Sequence, residues 1–143
     1  MKMRFTDKVV FKTTDKTTKV PTRATEHSAG HDFYMPKTIT IPAKKAVMFD
    51  TNITTDIPKG YVMHLYPRSS LGIKKSLMLC NTVGIIDSDY KDTIKCALYN
   101  YGDTDVTLDK DERFMQAVTN PYIVSVDEPT TKNRTGGIGS TGK

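Results

Sequence analysis

The sequence predicts a single all-β domain, and three observations support this prediction. Its 143 residues match the length of one ordinary domain. No stretch keeps the 3.6-residue apolar period of an amphipathic helix for three turns, so helices are expected to be scarce. The apolar residues come in short runs rich in β-branched side chains, with seven prolines and nine glycines between them. Such strands are typical of a sandwich, a barrel or a jelly roll, and periodicity does not choose among these.

Alternation of polar and apolar residues marks the clearest strands. Residues 61–65 and residues 94–98 both alternate, so successive side chains in each segment would point to opposite faces of a sheet. Turn residues at 58–60 and 101–104 bound these segments. The other predicted strands, in chain order, cover residues 9–11, 38–41, 47–51, 77–80, 105–108 and 122–126.

Charge and hydropathy narrow the classes of partner. The formal net charge is +5, but the basic side chains are interspersed with acidic ones rather than gathered into a patch. This distribution argues against nucleic acid as a partner and leaves a small anionic ligand open. No apolar run approaches the ~20 residues of a membrane span, so we expect no membrane partner and a cytoplasmic protein, in the host cytoplasm if it is viral.

The cysteines and histidines do not form a recognisable metal site. Cys80 and Cys96 lack the Cys-x-x-Cys spacing and are too few for a disulfide scaffold, so both are predicted to be buried free thiols. His27, His31 and His64 do not complete a set of ligands.

The C-terminal residues differ in composition from the rest of the chain. Residues 130–143 contain almost no apolar side chains and are rich in glycine, threonine and serine. This change predicts a folded domain at residues 1–129 and a flexible glycine-rich arm at residues 130–143. The arm ends in G-x-x-x-x-G-K, as a phosphate-binding P-loop does, but the Ser or Thr and the helix that such a loop requires do not follow.

Two internal segments carry residue types that suit phosphate chemistry. In residues 66–70, the guanidinium of Arg68 and the hydroxyls of Ser69 and Ser70 suit phosphate oxygens, although an ordinary turn with a serine cap fits as well. In residues 84–90, Asp87 follows two apolar residues and is a candidate general base, but a hairpin in which Asp87 or Asp89 makes an Asx turn fits equally well. Each segment alone leaves both interpretations open.

Together with three further segments, these resemble the five ordered motifs of the homotrimeric dUTP pyrophosphatase (dUTPase) family. The resemblance extends from residue 29 to the C-terminus. It implies a jelly-roll β-barrel, a homotrimer whose active sites each draw motifs from all three chains, and hydrolysis of dUTP to dUMP and pyrophosphate. The segments are Ala-Gly-His-Asp-Phe at 29–33, Pro-Arg-Ser-Ser at 67–70, residues 81–90, Glu-Arg-Phe-Met-Gln at 112–116, and residues 134–142.

The resemblance also implies a role for each matching residue. Asp87 would orient and deprotonate the water that attacks the α-phosphorus of dUTP, while Mg²⁺ would neutralise the triphosphate and contact Asp32 through a water molecule. Tyr90 would lie under the deoxyribose and leave no room for a 2′-hydroxyl. The remaining substrate-binding residues would be Arg68, Ser69, Ser70, Gln116 and Arg134 at the phosphates, Asn81, Gly84 and Ile86 at the uracil, and Ile138, Gly139 and Ser140 in the closing arm.

The chain departs from the family pattern in its arm. Ile138 stands where the family commonly has phenylalanine, and one residue fewer than usual separates Arg134 from Gly136. Two other functions compete with hydrolysis of dUTP. The related dCTP deaminases need a glutamate at the position of Ala97, and a regulatory jelly-roll protein would bind a protein partner with reduced or no turnover. An additional protein partner stays open.

Overall fold

The structure is a computed structural model, and it describes residues 7–126, 133–139 and 141–142. Within these residues the chain forms eleven strands and one short helix. Their bounds are β1 Val10–Thr13, β2 His31–Tyr34, β3 Ile39–Ile41, β4 Ala46–Asp50, β5 Ile53–Asp56, β6 Tyr61–Pro67, α1 Ser69–Lys75, β7 Leu77–Leu79, β8 Gly84–Ile86, β9 Lys95–Asn100, β10 Val106–Leu108 and β11 Arg113–Pro121.

The strands form antiparallel sheets with a jelly-roll fold. The largest sheet has the strand order β2-β11-β6-β8, a second has the order β4-β9-β7, and the pairs β1-β5 and β3-β10 form two short ribbons. Phe49 of β4 and Phe114 of β11 pack with their ring centroids 5.5 Å apart, so the two larger sheets meet across one core. The prediction of an all-β jelly roll is confirmed.

Two sequence predictions differ from the structure. The predicted strand at residues 122–126 is wrong, because β11 ends at Pro121 and the following apolar side chains are largely exposed, with Ile123 98% and Val126 90% exposed. β-branched residues do not by themselves make a strand, because their strand preference depends on packing against neighbouring strands. The prediction that both cysteines are buried is wrong for Cys80, which is exposed, whereas Cys96 is buried and burial raises the pKa of its thiol.

No helix among the described residues is long and apolar enough to cross a lipid bilayer. The helix α1 has seven residues and buries Leu71. It ends at Lys75, and the following Ser76 adopts the left-handed backbone conformation with φ 56° that terminates the helical turn.

Asn100 holds the end of β9 to the neighbouring turn through a buried polar network. Its side chain is fully buried, and its Nδ2 donates to the carbonyl oxygens of Ile41 at 2.9 Å and Thr104 at 2.8 Å. Its Oδ1 accepts a hydrogen bond from the backbone N–H of Gly102 at 2.9 Å. Every polar atom of the amide is therefore satisfied, as burial of such a group requires.

We expect Asn100→Asp to destabilise the protein by about 3 kcal/mol, because the new oxygen would face two carbonyl oxygens that have lost their donor. The free energy of unfolding would be measured by denaturant titration. The matched control is Asn120→Asp at an exposed position of β11, which should shift that free energy by less than about 0.5 kcal/mol. Equal stability of the two variants would contradict a structural role for the Asn100 amide.

Candidate active site

The segment that joins β7 to β8, residues 80–83, forms one wall of a cavity of about 490 Å³, which we name the β7-β8 cavity. β7 pairs with β9 and β8 pairs with β6, so this turn connects the two larger sheets. The turn is tight, because the N–H of Thr82 donates to the carbonyl oxygen of Leu79 at 3.0 Å and Thr82 has a left-handed backbone with φ 62°. Gly84 lets β8 approach β6, since a Cβ at this position would lie 3.0 Å from the side chain of Leu65. The predicted base-recognition residues line this cavity: Asn81, Gly84, Ile86 and Tyr90.

Asp87 lies at the mouth of this cavity, directly after β8. Its side chain is about half exposed, and its carbonyl oxygen accepts a hydrogen bond from the N–H of Tyr90 at 3.1 Å. The four-residue turn from Asp87 to Tyr90 thus places a carboxylate and a buried aromatic ring next to each other. An exposed carboxylate beside an apolar cavity is well placed to hold a water molecule against a bound ligand.

The C-terminal arm packs on this turn. The guanidinium of Arg134 forms ion pairs with Asp87 and, at 2.8 Å, with Asp89, and it lies 5.8 Å from the centroid of the Tyr90 ring. Gly137 lies so close to that ring that a Cβ added to it would be 2.5 Å from Cε2 of Tyr90. The side chain of Arg134 is only 15% exposed as a result.

The position of Arg134 differs from the one that the family resemblance implies. The resemblance assigns it to the phosphates, whereas in the structure it binds the carboxylates of Asp87 and Asp89. The hydrogen bond that the guanidinium donates to Asp89 outweighs desolvation and raises the pKa of Arg134. Ile138 and Gly139 line the cavity, and Ser140 lies outside the described residues.

A second polar cluster lies on the large sheet and centres on Asp32. Asp32 is buried, and its two carboxylate oxygens each form an ion pair at 3.4 Å, one with Arg68 and the other with Arg113. Gln116 lies opposite Asp32 across the β2-β11 ladder and donates to the carbonyl oxygen of Pro67 at 3.3 Å. The cluster has one carboxylate and two guanidinium groups, so it carries net positive charge and suits an anionic ligand.

A β-bulge brings this cluster together. The β2-β11 register shifts between Arg113 and Met115, so Phe114 and Met115 are both buried although they are adjacent. In a regular strand Arg113 and Gln116 would point to opposite faces. With one extra residue between them, both serve the face that carries Asp32. Gly30 completes the cluster, since a Cβ there would lie 2.6 Å from the side-chain oxygen of Gln116.

The predicted phosphate residues Ser69 and Ser70 are the first two residues of helix α1. Arg68 is the residue that precedes the helix, with an extended backbone, and its N–H donates to the carbonyl oxygen of Phe114 at 3.0 Å. This bond ties the start of the helix to β11. The structure therefore places Arg68, Ser69 and Ser70 beside the strand that carries Gln116.

Sequence reasoning missed several residues of the cavity wall. Lys95 and Ala97 lie two residues apart on β9 and line the cavity. The exposed Cys80, in the turn between β7 and β8, also lines it. The alternation of residues 94–98 was a signal that could have placed Lys95 and Ala97 on one face. Met48 and Thr141 also line the cavity, but only the folded chain brings these distant residues to it.

His31 has a structural environment. Its ring packs on Phe11 with centroids 5.2 Å apart, and burial, followed by the charge of Arg23, lowers the pKa of the imidazole. A histidine with a lowered pKa is neutral at neutral pH. We therefore assign no acid or base function to it.

Comparison with known proteins places the chain in a family. The dUTPase family model matches residues 16–142. The deoxyuridine 5′-triphosphate nucleotidohydrolase of Lactococcus lactis is 37% identical over 131 residues, which cover 86% of this chain and 87% of the relative. The protein of that name from Escherichia phage T5 is 46% identical over 105 residues, which cover 68% of this chain and 70% of the relative.

Solved structures agree with this assignment. The dUTPase of Streptococcus mutans superposes with a TM-score of 0.74 at 31% identity, over 80% of this chain and 97% of that one. The dUTPase of Staphylococcus bacteriophage 80alpha gives a TM-score of 0.80 at 20% identity, over 95% of this chain and 99% of that one, a likeness of fold alone. The ordered motifs, the cavity beside Asp87 and the family match lead to one conclusion: the chain belongs to the dUTPase family.

Proposed function

We propose that Asp87 is the general base of this chain, a dUTP diphosphatase that hydrolyses dUTP to dUMP and pyrophosphate. The activity follows from family membership and from relatives that carry the name deoxyuridine 5′-triphosphate nucleotidohydrolase. The assignment of Asp87 rests mainly on one observation. Its half-exposed carboxylate lies at the mouth of the β7-β8 cavity, and the four-residue turn that begins at Asp87 ends at the buried ring of Tyr90.

Uracil and deoxyribose would occupy the β7-β8 cavity. Main-chain groups of the β7-β8 turn and the side chain of Asn81 would bind the uracil edge, and the deoxyribose would lie on the Tyr90 ring. A water molecule held by Asp87 would then attack the α-phosphorus, with its proton passing to the carboxylate. Ile138 and Gly139 of the arm would cover the base and exclude bulk solvent.

The cluster around Asp32 would bind the triphosphate. Arg68, Arg113 and Gln116 offer several donors to phosphate oxygens, and guanidinium groups bind such oxygens in pairs. Ser69 and Ser70 would add hydroxyl and backbone donors from the first turn of α1. Ion pairing to Asp32 keeps both arginines oriented before the nucleotide arrives.

We propose that one active site combines the β7-β8 cavity of one subunit with the Asp32 cluster of another. Met115 lines the cavity, whereas Gln116, the next residue on β11, belongs to the Asp32 face. Successive strand residues point to opposite faces, so one chain presents its two groups on different sides of the sheet. A homotrimer, typical of the dUTPase family, would bring the two groups of neighbouring chains together, and the arm would close the site.

Members of the dUTPase family generally depend on Mg²⁺. The described residues hold no cluster of three His, Cys, Asp or Glu side chains, and the carboxylate of Asp32 is already paired with two arginines. This donor set suits an ion that keeps most of its waters and binds the phosphates rather than a protein cage. When bound, Mg²⁺ would neutralise the triphosphate, and Asp32 would accept a hydrogen bond from one of its waters.

The structure gives no support to the alternative of deamination. Ala97, at the position where the dCTP deaminases need a glutamate, presents only a methyl group to the cavity. A regulatory protein that binds a partner and does not hydrolyse dUTP would have no nucleotide to bind the Asp32 cluster and the cavity together. A protein partner in addition to catalysis stays compatible with the exposed surface.

Pyrophosphate release from dUTP, dTTP, dCTP and UTP tests the proposed function. We expect release from dUTP alone, because the β7-β8 turn would leave no room for the thymine methyl and the Tyr90 ring would exclude a 2′-hydroxyl. EDTA should abolish that release, and excess Mg²⁺ should restore it. Release of ammonia from dCTP, or silence on all four nucleotides, would contradict the proposal.

A further inference from the structure

The Tyr90 ring is fixed by its own hydroxyl. The ring is buried, and its hydroxyl donates to the main-chain carbonyl oxygen of Thr93 at 2.7 Å. A hydrogen bond at the far end of the ring adds to the packing around it, so the ring cannot swing about its Cα–Cβ bond without losing this bond. The position of the Tyr90 ring in the cavity therefore depends on the position of the Thr93 carbonyl.

Thr93 is held by side chains of two neighbouring strands. It is buried, its N–H donates to a carboxylate oxygen of Asp92 at 2.7 Å, and its hydroxyl donates to Oδ2 of Asp50 at 2.8 Å. Lys95 donates to the same Asp50 oxygen at 2.8 Å and also bonds the Thr93 hydroxyl. Asp50 and Lys95 are paired residues of β4 and β9, so the ladder itself sets their positions.

The charges in this group favour a persistent contact. Burial opposes ionisation of Asp50, but hydrogen bonds from Lys95, from the N–H of Asn52 and from Thr93 outweigh it, and the pKa of the carboxyl lies below its ordinary value. The hydrogen bond with Asp50 raises the pKa of Lys95 in turn. Both groups are charged at neutral pH, and hydrogen bonds between charged partners are the stronger kind.

We infer that Asp50, Thr93 and Lys95, which we name the Thr93 clamp, are positioning residues that set how strongly the enzyme selects deoxyribose over ribose. None of the three has to touch the nucleotide for this effect. The clamp fixes the Thr93 carbonyl, the carbonyl fixes the Tyr90 hydroxyl, and the ring then occupies the space that a 2′-hydroxyl would need. A displacement of ~1 Å in a bound substrate can change its reaction rate by about 100-fold. A small shift of the Tyr90 ring would therefore change how well each nucleotide is positioned.

The inference rests on the proposed function, in which Tyr90 lies under the sugar. Its test compares kcat/KM for UTP with kcat/KM for dUTP in each variant. Thr93→Val removes the hydroxyl while keeping the shape of the side chain, and Asp50→Asn removes the charge that holds both Thr93 and Lys95. We expect each to raise the UTP-to-dUTP ratio about tenfold, which corresponds to about 1.4 kcal/mol of discrimination.

Two controls accompany these variants. Thr93→Ser keeps the hydroxyl and should restore the wild-type ratio. Asp103→Asn removes an exposed carboxylate that is ion-paired with Lys44 at 3.5 Å outside the cavity, and it should leave the ratio unchanged. A purely structural role of the clamp would lower the melting temperature and the rates for both nucleotides equally. That outcome, with an unchanged ratio, would overturn the inference.

Tyr90→Ala separates failure of the inference from failure of the proposed function. If Tyr90→Ala raises the ratio and the Thr93 and Asp50 variants do not, the ring selects the sugar without help from the clamp, and the inference is wrong. If Tyr90→Ala leaves the ratio unchanged while dUTP is still hydrolysed, the proposed role of Tyr90 is wrong, and the inference fails with it.

Discussion

Asp87→Asn should lower kcat for dUTP at least about 100-fold while the variant still binds the nucleotide. An amide has the shape of the carboxylate but cannot take a proton from water, and a positioned general base contributes about 10²–10⁴ to a rate. A 100-fold loss corresponds to about 2.7 kcal/mol of the barrier. Single-turnover kinetics would measure the chemical step, and calorimetry with a non-hydrolysable dUTP analogue would measure binding.

The contact between Asp87 and Arg134 calls for a matched control. Asp87→Asn also weakens the ion pair that holds the arm, so a loss of rate could come from the arm instead of the base. Asp89→Asn removes the other carboxylate that binds Arg134 and leaves Asp87 in place. We expect this control to lose no more than about tenfold in kcat/KM. Equal losses in the two variants would remove Asp87 from the role of base.

The base-recognition half of the site could be predicted because it is local in sequence. Asp87, Tyr90 and Gly84 lie within one strand and one turn, so a short segment with the right residue types specifies their geometry. The resemblance to ordered motifs added the roles. The Thr93 clamp could not be predicted in the same way, because Asp50 is about forty residues away and meets Thr93 only through the pairing of β4 with β9.

The phosphate half shows a different limit. Regular alternation over residues 112–116 would separate Arg113 from Gln116, and the structure unites them by a bulge. Two adjacent apolar residues, Phe114 and Met115, were the available signal, because both are buried and a regular strand buries only every second residue on one face. A bulge can be suspected from such a pair, but the sheet that surrounds it decides where it falls.

In the arm, Arg134 contacts acidic side chains beside the cavity. Arg134 is one residue nearer to Gly136 than the family pattern has it, and Gly137 is already fixed against the Tyr90 ring. The guanidinium contacts the carboxylates of Asp87 and Asp89. In the proposed mechanism, Asp87 would have to release Arg134 before it could hold the attacking water molecule.

Deleting residues 134–143 should lower kcat/KM for dUTP about 100-fold, because an open site admits bulk water and leaves the nucleotide less well oriented. Gly137→Ala should reproduce much of this loss with a single methyl group, since its Cβ would lie 2.5 Å from the Tyr90 ring and prevent the arm from docking. The matched control is Thr135→Ala at an exposed neighbouring position, which should keep nearly wild-type rates. Steady-state kinetics would compare the variants, and light scattering would check that each keeps the oligomeric state of the wild type.

Whether deletion of the arm raises or lowers the turnover of dUTP decides between two roles of the arm. If Arg134 served chiefly to mask Asp87, removal of the arm would free the base and raise turnover. If the arm serves chiefly as a lid, removal costs more through lost closure than it gains at Asp87. We expect the second result, because the arm contributes Ile138 and Gly139 to the cavity wall as well as the guanidinium on the base. Faster hydrolysis by the truncated chain, or dissociation of its oligomer, would contradict the role of a lid.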